Sequence, residues 1–337
     1  MSEHRTNEAR DVVFSTRIRF ARNCKEYPFA AKLDRTSAAE IIEKVTRAAG
    51  DDYIVTDMQP LSAAEAARLV ERHRVSREFL SVTVPHILLE HKTDNVAIMV
   101  CEEDHIRLQS FAVGFDLQGA YRAATAAEAA LSAKLHFAFD EKLGYLTHCP
   151  TNLGTGMRAS VMLFLPALTR TGRLGRLMGE LQNLGMTVRG MYGEGTDASG
   201  ALYQISNRQT LGVREEALLE KLTTVVERLI TLEREAREAL LRADKNALAD
   251  AAGRAYGICR YATEMSSGEF LKHYTDLRLG VALGLFDGVS LAVLDALLFD
   301  TMPASIALWA KTQTDSPRLR DTARAEKLRK TLSDCNA

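Results

Sequence analysis

The sequence lacks the features of a membrane-spanning or disulfide-rich protein. Its best apolar run, Val289 to Phe299, is broken by Asp295 and is too short to cross a bilayer. The opening residues, MSEHRTNEAR, contain no apolar core, so we expect no secretion signal. The five cysteines are odd in number and widely spaced, without a CxxC or Cys/His zinc pattern. We therefore expect free thiols and a cytoplasmic protein.

An excess of charge of one sign is missing as well. The 43 Lys and Arg residues nearly balance the 44 Asp and Glu residues, leaving a formal net charge of -1. This balance argues against a strongly basic protein that coats nucleic acid. A chain of 337 residues that is 46% hydrophobic is not mostly disordered, and it can bury the core of one large and one small domain.

The hydrophobic pattern divides the chain into two regions. Residues 1–11 are polar and predicted to be disordered, and residues 12–236 mix short apolar segments with helical ones. Residues 237–337 are predicted to be helical throughout, joined to the first region by one long amphipathic helix. The pattern predicts an α+β fold: an antiparallel sheet flanked by helices, followed by an all-helical domain.

The predicted strands are short and rich in branched residues. They are Val12–Phe14, Leu80–Val84, Ile87–Leu89, Val96–Val100, Ile106–Ser110, Tyr145–His148, Thr187–Tyr192 and Leu202–Ser206. The predicted helices of the first region are Thr36–Ala49, capped by Ser37, Ser62–Arg72 with a capping box to Glu65, Ala120–Phe137 and Leu174–Leu184. Those of the second region are Ala247–Tyr256, Ser267–Leu271, Val281–Leu285, Leu291–Phe299 and Arg318–Leu332.

The common nucleotide and hydrolase motifs are absent. There is no GxxxxGK[ST], no HExxH and no GxSxG. Gly154-Thr155-Gly156 matches a dinucleotide fingerprint only over a short stretch, and a βαβ context is missing. We interpret it as a glycine-rich turn ahead of a helix, whose N–H groups could face a phosphate.

Arginines beside glycines or strand ends are the strongest chemical signal. They are Arg17, Arg19, Arg107, Arg158 and Arg189. A planar guanidinium binds phosphate through two hydrogen bonds, so several together suit a nucleotide triphosphate, although each alone also fits a solvated surface position. The acidic run Glu102-Glu103-Asp104 follows an apolar strand, where it could orient a guanidinium and accept its proton, or simply end the strand in solvent.

Five segments resemble the ATP:guanido phosphotransferase family, and within it the protein arginine kinases of the McsB type. They are STRIRFARN, EEDHIRLQ, YLTHCPTNLGTGMRASVMLFLPAL, VRGMYGEGTDASGALYQISNRQTLG and RDTARA. Phosphagen kinases such as arginine and creatine kinase carry a helical domain before the catalytic one, whereas here about a dozen residues precede STRIR and the helical region follows. This order favours the protein arginine kinase branch.

The resemblance implies a set of site residues. Glu103 and Glu194 match the family's catalytic carboxylates, and Cys149 matches its active-site cysteine, which we expect to tune electrostatics rather than become phosphorylated. The implied nucleotide-binding residues are Ser15, Thr16, Arg17, Ile18, Arg19, His73, Arg107, Arg158, Ala159, Ser160, Val161, Met162, Arg189, Gly190, Met191, Tyr192, Gly193 and Glu194.

The resemblance singles out one further element and one departure from the family pattern. RDTARA matches an RDxxRA element that binds phosphoarginine allosterically, through Arg320, Asp321, Arg324 and Ala325. Cys101 stands where the family usually has Asn, and because a thiol offers little hydrogen bonding, we expect looser positioning of Glu103 and a lower rate.

The implied reaction is transfer of the ATP γ-phosphoryl group to arginine side chains of proteins, with Mg²⁺ bound chiefly through the nucleotide. The resemblance also implies marking of substrates for a Clp-type protease, a McsA-type adaptor and a homodimer, with no direct contact to nucleic acid or membrane. Two alternatives stay open: a kinase of free arginine or another small guanidino compound, and a non-catalytic phosphoarginine reader.

Overall fold

The computed structural model describes residues 9–191, 199–311 and 316–334. The strands are β1 (Val13–Arg22), β2 (Tyr53–Asp57), β3 (Ile87–His91), β4 (Val96–Val100), β5 (Ile106–Val113), β6 (Phe139–Asp140), β7 (Gly144–Tyr145), β8 (Met157–Phe164), β9 (Met186–Gly190) and β10 (Leu202–Asn207). The helices are α1 (Arg35–Ala49), α2 (Ala63–Glu71), α3 (Leu117–Ser132), α4 (Pro166–Arg170), α5 (Leu174–Asn183), α6 (Glu215–Tyr261), α7 (Ser267–Ala282), α8 (Leu291–Asp300), α9 (Pro303–Ala310) and α10 (Pro317–Asp334).

An eight-stranded antiparallel sheet organises the first region, in the order β2-β3-β4-β5-β1-β8-β10-β9. β1 lies in the middle of this sheet and pairs with β5 on one side and β8 on the other. Its even-numbered residues Ile18 and Phe20 are fully buried on the side where α3 packs. Its odd-numbered residues point to the opposite face, since side chains alternate along a strand. The predicted α+β fold is confirmed.

Several local predictions agree with the structure, and others were wrong. The capping box of Ser62 and Glu65 is present at α2. Helix α1 is capped by Asp34, whose carboxylate accepts a hydrogen bond from the backbone N–H of Ser37, so Ser37 is not the cap. The segment Leu80–Val84 is not a strand, because a short 3-10 helix over Glu78–Ser81 precedes an extended turn.

The segment after Gly154-Thr155-Gly156 is a strand, β8, and not the expected helix. β1 was also underestimated, since it continues through the arginine-rich segment to Arg22. The predicted strand Tyr145–His148 shrinks to the two residues of β7. The β2 strand and helix α9 were not predicted at all.

The helical region begins within α6. This helix leaves helical geometry at Asp244, where φ is -159° and ψ is 87°. The Asp244 carboxylate accepts a hydrogen bond from the backbone N–H of Ala247 at 2.9 Å and so caps the second half of the helix. The expected division near residue 236 therefore lies about two turns before the break in the backbone.

Three arginines hold the segment before β1 in place, and we name them the joint arginines: Arg234 and Arg237 in the first part of α6, and Arg278 in α7. Arg234 and Arg237 bind the Asp11 carboxylate at 2.7 and 3.1 Å. Arg278, with a side chain 0% exposed, binds Asp295 at 2.9 Å and donates to the carbonyl of Asp11. Because Asp11 lies two residues before β1, Arg278 ties the helical region to the central strand of the sheet.

Among the described residues, no single helix has the length and apolar character needed to cross a membrane. The bent pair α8 and α9, which turns by 83°, meets that test only when the two helices are taken together and only by length and composition.

Candidate active site

Strand pairing gathers positively charged side chains on one face of the sheet. Arg17 and Arg19 of β1 are two residues apart and point to the same face. Arg19 lies opposite Arg158 of β8, and Gln204 of β10 lies opposite Arg189 of β9. Residues distant in the sequence are thus brought side by side by the register of neighbouring strands.

These side chains line a cavity of about 670 Å³, which we name the arginine cavity. Its lining includes five arginines, named the cavity arginines, and three carboxylates among the described residues. They are Arg17, Arg19, Arg107, Arg158 and Arg189, with Glu78, Glu102 and Glu103. The size fits a small-molecule ligand, and the excess of positive charge favours an anionic one.

The cavity arginines are only partly neutralised. Burial, followed by repulsion from Arg107 and Arg158, lowers the pKa of Arg17 to about 10. Burial and the neighbouring guanidinium groups also hold the pKa of Arg19 well below its ordinary value. The Nε atoms of Arg19 and Arg158 are buried without a hydrogen-bond partner among the described residues. Buried donors without partners are costly, so this arrangement calls for an anion in the cavity.

Arg107 differs because it has a carboxylate partner. Its Nη1 lies 2.6 and 2.7 Å from the two oxygens of Glu102, which also accepts a hydrogen bond from the Ser76 hydroxyl. Burial alone would lower the pKa of Arg107, but Glu102 outweighs burial and raises it. Glu102 therefore holds one arginine in place, whereas the half-buried Glu103 lies at the cavity wall with no ion-pair partner among the described residues.

Glu103 lies in the tight turn between β4 and β5. The turn is closed by a hydrogen bond from the Cys101 N–H to the His105 carbonyl, at 2.8 Å. Cys101 has a φ of 63°, a left-handed conformation that Asn adopts more readily than Cys. Its side chain is 1% exposed and its sulfur faces the Ala38 carbonyl of α1. The side chain at position 101 therefore points away from Glu103, and its influence passes through the backbone of the turn.

Asp104 and Asn23 hold this turn against the segment that carries Cys149. The Asp104 carboxylate accepts hydrogen bonds from the Asn23 amide and from the backbone N–H of His148, both at 2.7 Å. Asn23 in turn accepts a hydrogen bond from the His105 N–H at 2.9 Å. Sequence reasoning missed Asn23, and it singled out Asp104 only as part of an acidic run, not as the residue that holds this turn.

A second, smaller cavity adjoins the first and measures about 110 Å³; we name it the small cavity. It shares Arg19, Glu103, Arg107 and Arg158 with the arginine cavity. Cys149 lines it, with the sulfur 3.0 Å from the Thr151 hydroxyl. Glu103 therefore lies between a larger cationic space and a smaller one.

Gly156 is required by the close approach of Arg22 beneath the cavities. Gly156 has a φ of +59°, and a Cβ atom there would lie 2.5 Å from the Arg22 guanidinium. Arg22 is buried, stacks on Tyr145 at 3.5 Å and donates to the Thr155 carbonyl. The glycine turn thus serves the packing of Arg22 and the entry into β8, rather than the start of a helix.

The sheet separates the predicted nucleotide-binding residues into two groups. Ser15, Arg17, His73, Ser160 and Met162 line cavities on the site face, as do Arg19, Arg107, Arg158, Arg189, Gly190 and Met191. The side chains of Thr16, Ile18, Ala159 and Val161 are buried toward the other face, where the Thr16 hydroxyl binds the Gly114 carbonyl. Tyr192, Gly193 and Glu194 lie outside the described residues.

His73 follows α2 in a left-handed conformation, with a φ of 56°. Its Nε2 is buried without a hydrogen-bond partner among the described residues. Burial and the nearby Arg17 and Arg19 lower the pKa of His73 to about 4, so the ring is neutral at pH 7. A neutral imidazole adds a hydrogen-bonding group to the cationic face without adding charge.

In the predicted phosphoarginine element, Arg324 is part of the protein core. Its side chain is 1% exposed and donates to the carbonyls of Thr301 and Met265, at 2.8 and 2.7 Å, and to Asp321. Ala325 is fully buried, whereas Arg320 and Asp321 are half-buried. Arg324 thus fixes α10 to the ends of neighbouring helices, and binding of phosphoarginine to this element stays a prediction.

The match to known families follows the division of the chain. Residues 37–236 match the ATP:guanido phosphotransferase C-terminal catalytic domain, and residues 245–337 match the protein-arginine kinase McsB C-terminal domain. The first match ends at residue 236, eight residues before the break at Asp244, and the second begins directly after the break, at residue 245.

Curated relatives match along almost the whole chain. A protein-arginine kinase of Syntrophomonas wolfei is 41% identical over 330 residues, covering 96% of this chain and 92% of its own. A protein-arginine kinase of Brevibacillus brevis is 40% identical over 329 residues, with the same coverage.

Solved structures of phosphagen kinases share the fold. The substrate-free duplicated taurocyamine kinase of Schistosoma mansoni has a TM-score of 0.60 and 28% identity over 68% of this chain. This chain covers 34% of that duplicated protein, about a third of its length. Lombricine kinase has a TM-score of 0.59 and 25% identity, over 67% of each chain. The chain therefore belongs to the ATP:guanido phosphotransferase family of guanidino kinases, within the branch that carries the McsB C-terminal domain.

Proposed function

We propose that this protein transfers the γ-phosphoryl group of ATP to arginine side chains of proteins. The observation that carries the proposal is the pair of buried guanidinium nitrogens, on Arg19 and Arg158, that lack partners among the described residues beside the free carboxylate of Glu103. A polyphosphate would supply the missing partners, and the relatives named protein-arginine kinase support the choice of reaction.

The two cavities suit the two halves of this reaction. The cavity arginines would bind the phosphate oxygens and stabilise the charge that is redistributed during transfer, which is the main contribution a protein makes to phosphoryl transfer. The small cavity would hold the acceptor guanidinium against Glu103. The position of Glu103 between both spaces then brings the attacking nitrogen to the terminal phosphorus.

Glu103 is assigned the role of general base. An arginine guanidinium has a pKa of about 12.5–13.8, so its protonated nitrogen is a poor nucleophile. As the new N–P bond forms, the bond between the γ-phosphorus and the β–γ bridging oxygen breaks, and ADP leaves with its electron pair. The nitrogen gives its proton to the Glu103 carboxylate. Glu194 is proposed as the second carboxylate that holds the guanidinium.

Mg²⁺ is proposed to enter with ATP and to neutralise charge on its phosphates. The described residues contain no group of three or more His, Cys, Asp or Glu side chains arranged for a metal. Mg²⁺ does not need such a group when it keeps several waters and takes most of its other ligands from the nucleotide. Glu78 and Glu103 are the carboxylates of the described cavity wall that could face such an ion, since Glu102 is paired with Arg107.

The remaining family properties are part of the same proposal. They comprise a cytoplasmic location, a homodimer, a McsA-type adaptor, delivery of products to a Clp-type protease, and phosphoarginine binding at Arg320 and Asp321. A kinase of free arginine or of another small guanidino compound is a second candidate. It is favoured by the likeness to structures named taurocyamine and lombricine kinase.

One experiment tests the reaction and separates the candidates. The protein is incubated with ATP, Mg²⁺, an arginine-rich protein and free arginine, and phosphorylation sites are mapped by mass spectrometry without acid. We expect phosphoarginine in the protein fraction. Phosphoarginine confined to the small-molecule fraction would favour the second candidate, and none in either fraction would contradict both.

The variant Glu103→Gln tests the assigned base. It keeps the shape of the side chain but cannot accept the proton, so we expect transfer to fall by about 100-fold or more while ATP binding is largely retained. Glu141→Gln, in the exposed turn between β6 and β7, is the matched control and should transfer at the normal rate. Normal turnover of Glu103→Gln would remove Glu103 from this role.

A further inference from the structure

Two short 3-10 helices border one end of the arginine cavity, and we name them the rim helices. The first, Ala30–Lys32, contributes Ala30 to the cavity wall, and the second, Glu78–Ser81, contributes Glu78. Glu78 is exposed and has no ion-pair partner among the described residues. The resemblance to the family assigns this carboxylate no part in binding or catalysis.

The second rim helix is fixed to the turn that carries Glu103. The Ser76 hydroxyl donates a hydrogen bond to the Glu102 carboxylate and accepts one from the backbone N–H of Phe79, at 3.2 Å. The Phe79 side chain is fully buried. Because successive residues of a 3-10 helix are about 120° apart, burial of Phe79 leaves Glu78 on the exposed side.

The first rim helix is fixed to the same turn through a buried histidine. The Nδ1 atom of His105 accepts a hydrogen bond from the backbone N–H of Cys24 at 3.0 Å, so its Nε2 carries the proton and donates to the Pro28 carbonyl at 2.9 Å. Arg35 donates to the Thr83 carbonyl at 3.3 Å and joins the chain beyond one rim helix to the chain beyond the other. Both rim helices are therefore held in position around the turn.

Glu78 lies at the end of the cavity where the acceptor is proposed to bind. Arg107 lines both the arginine cavity and the small cavity. Burial would lower the pKa of Arg107, but nearby carboxylates raise it. Glu102 has the largest effect among them, followed by Glu103 and Glu78. The acceptor is itself a cation that the cavity arginines repel, and an anionic rim offsets this repulsion on the way to Glu103.

The rim also presents apolar side chains beside this carboxylate. Phe29 directly precedes the first rim helix and Leu80 lies in the second, and they are 38% and 39% exposed. Val82, just after the second rim helix, lines the cavity itself. A polypeptide that places one arginine in the cavity has neighbouring side chains that can cover these residues, whereas free arginine has none.

We propose that the rim helices contact the protein segment that carries the acceptor arginine, and that Glu78 selects a second basic side chain next to that arginine. This inference rests on the proposed function and adds to it the class of substrate: segments in which the acceptor arginine has a Lys or Arg neighbour. Phe29 and Leu80 contact the same segment beside Glu78. Since Glu103 receives the proton, Glu78 acts on binding of the acceptor and not on the transfer step.

Two peptides test the selection. Each contains one arginine, flanked by lysines in the first and by glutamines in the second, and transfer is measured on the full chain at saturating ATP and Mg²⁺. For Glu78→Gln we expect kcat/KM with the lysine peptide to fall about fivefold, through KM, as for loss of an exposed ion pair. With the glutamine peptide the loss should be less than about twofold. Glu227→Gln, at an exposed position of α6, is the control and should treat both peptides as the unmodified chain does.

Charge reversal sharpens the test. Glu78→Lys should lower kcat/KM with the lysine peptide by about tenfold or more and favour a third peptide, in which glutamates flank the arginine. Equal losses with the lysine and glutamine peptides would overturn the selection. If Glu78→Gln needed more Mg²⁺ for half-maximal activity with both peptides, Glu78 would face the metal ion instead. Failure of the unmodified chain to phosphorylate any of the peptides would contradict the proposed function itself.

Discussion

Two groups of arginines in this molecule show opposite solutions to the burial of positive charge. The joint arginines meet three carboxylates, those of Asp11, Glu233 and Asp295. In the arginine cavity, five arginines face three carboxylates, and the buried Nε atoms of Arg19 and Arg158 have no hydrogen-bond partner within the described part of the chain. The first group holds the segment before β1 against α6 and α7, whereas the second is incomplete without a ligand.

The pKa directions follow this difference. Arg278 is buried, which would lower its pKa, but Tyr274 and Asp295 outweigh burial and raise it. For Arg17 and Arg158, burial and neighbouring arginines act together and lower the pKa. Arginine content alone therefore does not distinguish a binding site from a structural contact, but the balance of partners does.

The largest expected effect on stability comes from replacing one of the joint arginines. Replacing Arg278 by Met leaves the Asp295 charge without its guanidinium and the Arg10 carbonyl without its donor, while the Asp11 carbonyl keeps only the hydrogen bond from Arg237. We expect the free energy of unfolding to fall by about 3–5 kcal/mol, as for other buried pairs that lose one partner. Denaturant titration followed by circular dichroism measures the change.

Arg254→Met provides the control for Arg278→Met. Arg254 pairs with Asp250 on the exposed surface of α6, so its loss should change stability by about 0.5 kcal/mol or less. If both variants lost the same small amount, the joint would be an ordinary surface contact and the comparison would lose its basis.

A replacement in the arginine cavity should act in the opposite direction on stability. Arg19→Met removes a buried cation that is repelled by its neighbours, so we expect the ligand-free protein to melt higher, by about 2 °C. The same change removes a charged donor to phosphate, and the affinity for tripolyphosphate should fall by about 10- to 100-fold. Thermal melting and calorimetry measure the two effects.

Arg176→Met, at an exposed position of α5, should leave both quantities of the Arg19→Met experiment unchanged. A lower melting temperature for ligand-free Arg19→Met would mean that Arg19 is satisfied by the protein itself. The cavity arginines would then be paired within the protein, as the joint arginines are.

The local sequence shows the cavity residues but not their convergence. Arg17 and Arg19 are two residues apart, which places them on one face of a strand. The charged residues of this segment nevertheless limited the predicted strand to Val12–Phe14, whereas β1 continues to Arg22. β8 was hidden because its glycine turn resembled the start of a helix. The approach of Arg158 to Arg19 depends on the register between these two strands, which no local pattern encodes.

The contact between α8 and His73 could not be predicted from local patterns for a similar reason. Leu291–Phe299 was predicted as a helix on its apolar residues, which says nothing about its partner. Its position next to His73 depends on the hydrogen bond from Arg278 to Asp11 and on the one from Ala304 to Glu71, which join residues 267 and 233 positions apart. The resemblance to a known family located the catalytic residues but not this contact.

The last expected effect concerns the histidine in the arginine cavity. The folded-state pKa of His73 is about 4, below its ordinary value of 6.5. The unfolded chain therefore binds more protons between these pH values, so stability should fall as the pH drops from 6.5 to 4. His73→Asn, which suits the left-handed backbone, should reduce this fall by about 2–3 kcal/mol in denaturant titrations at several pH values.

His136 is the matched position, since its ring is 85% exposed and lies near Glu26. His136→Asn should leave the slope of stability against pH in this range nearly unchanged. If His73→Asn and the unmodified chain had the same slope, His73 would take up a proton as easily in the folded protein as in the unfolded one. The positive charge of the cavity arginines would then be better neutralised than their observed partners indicate. In that respect the cavity arginines would resemble the joint arginines.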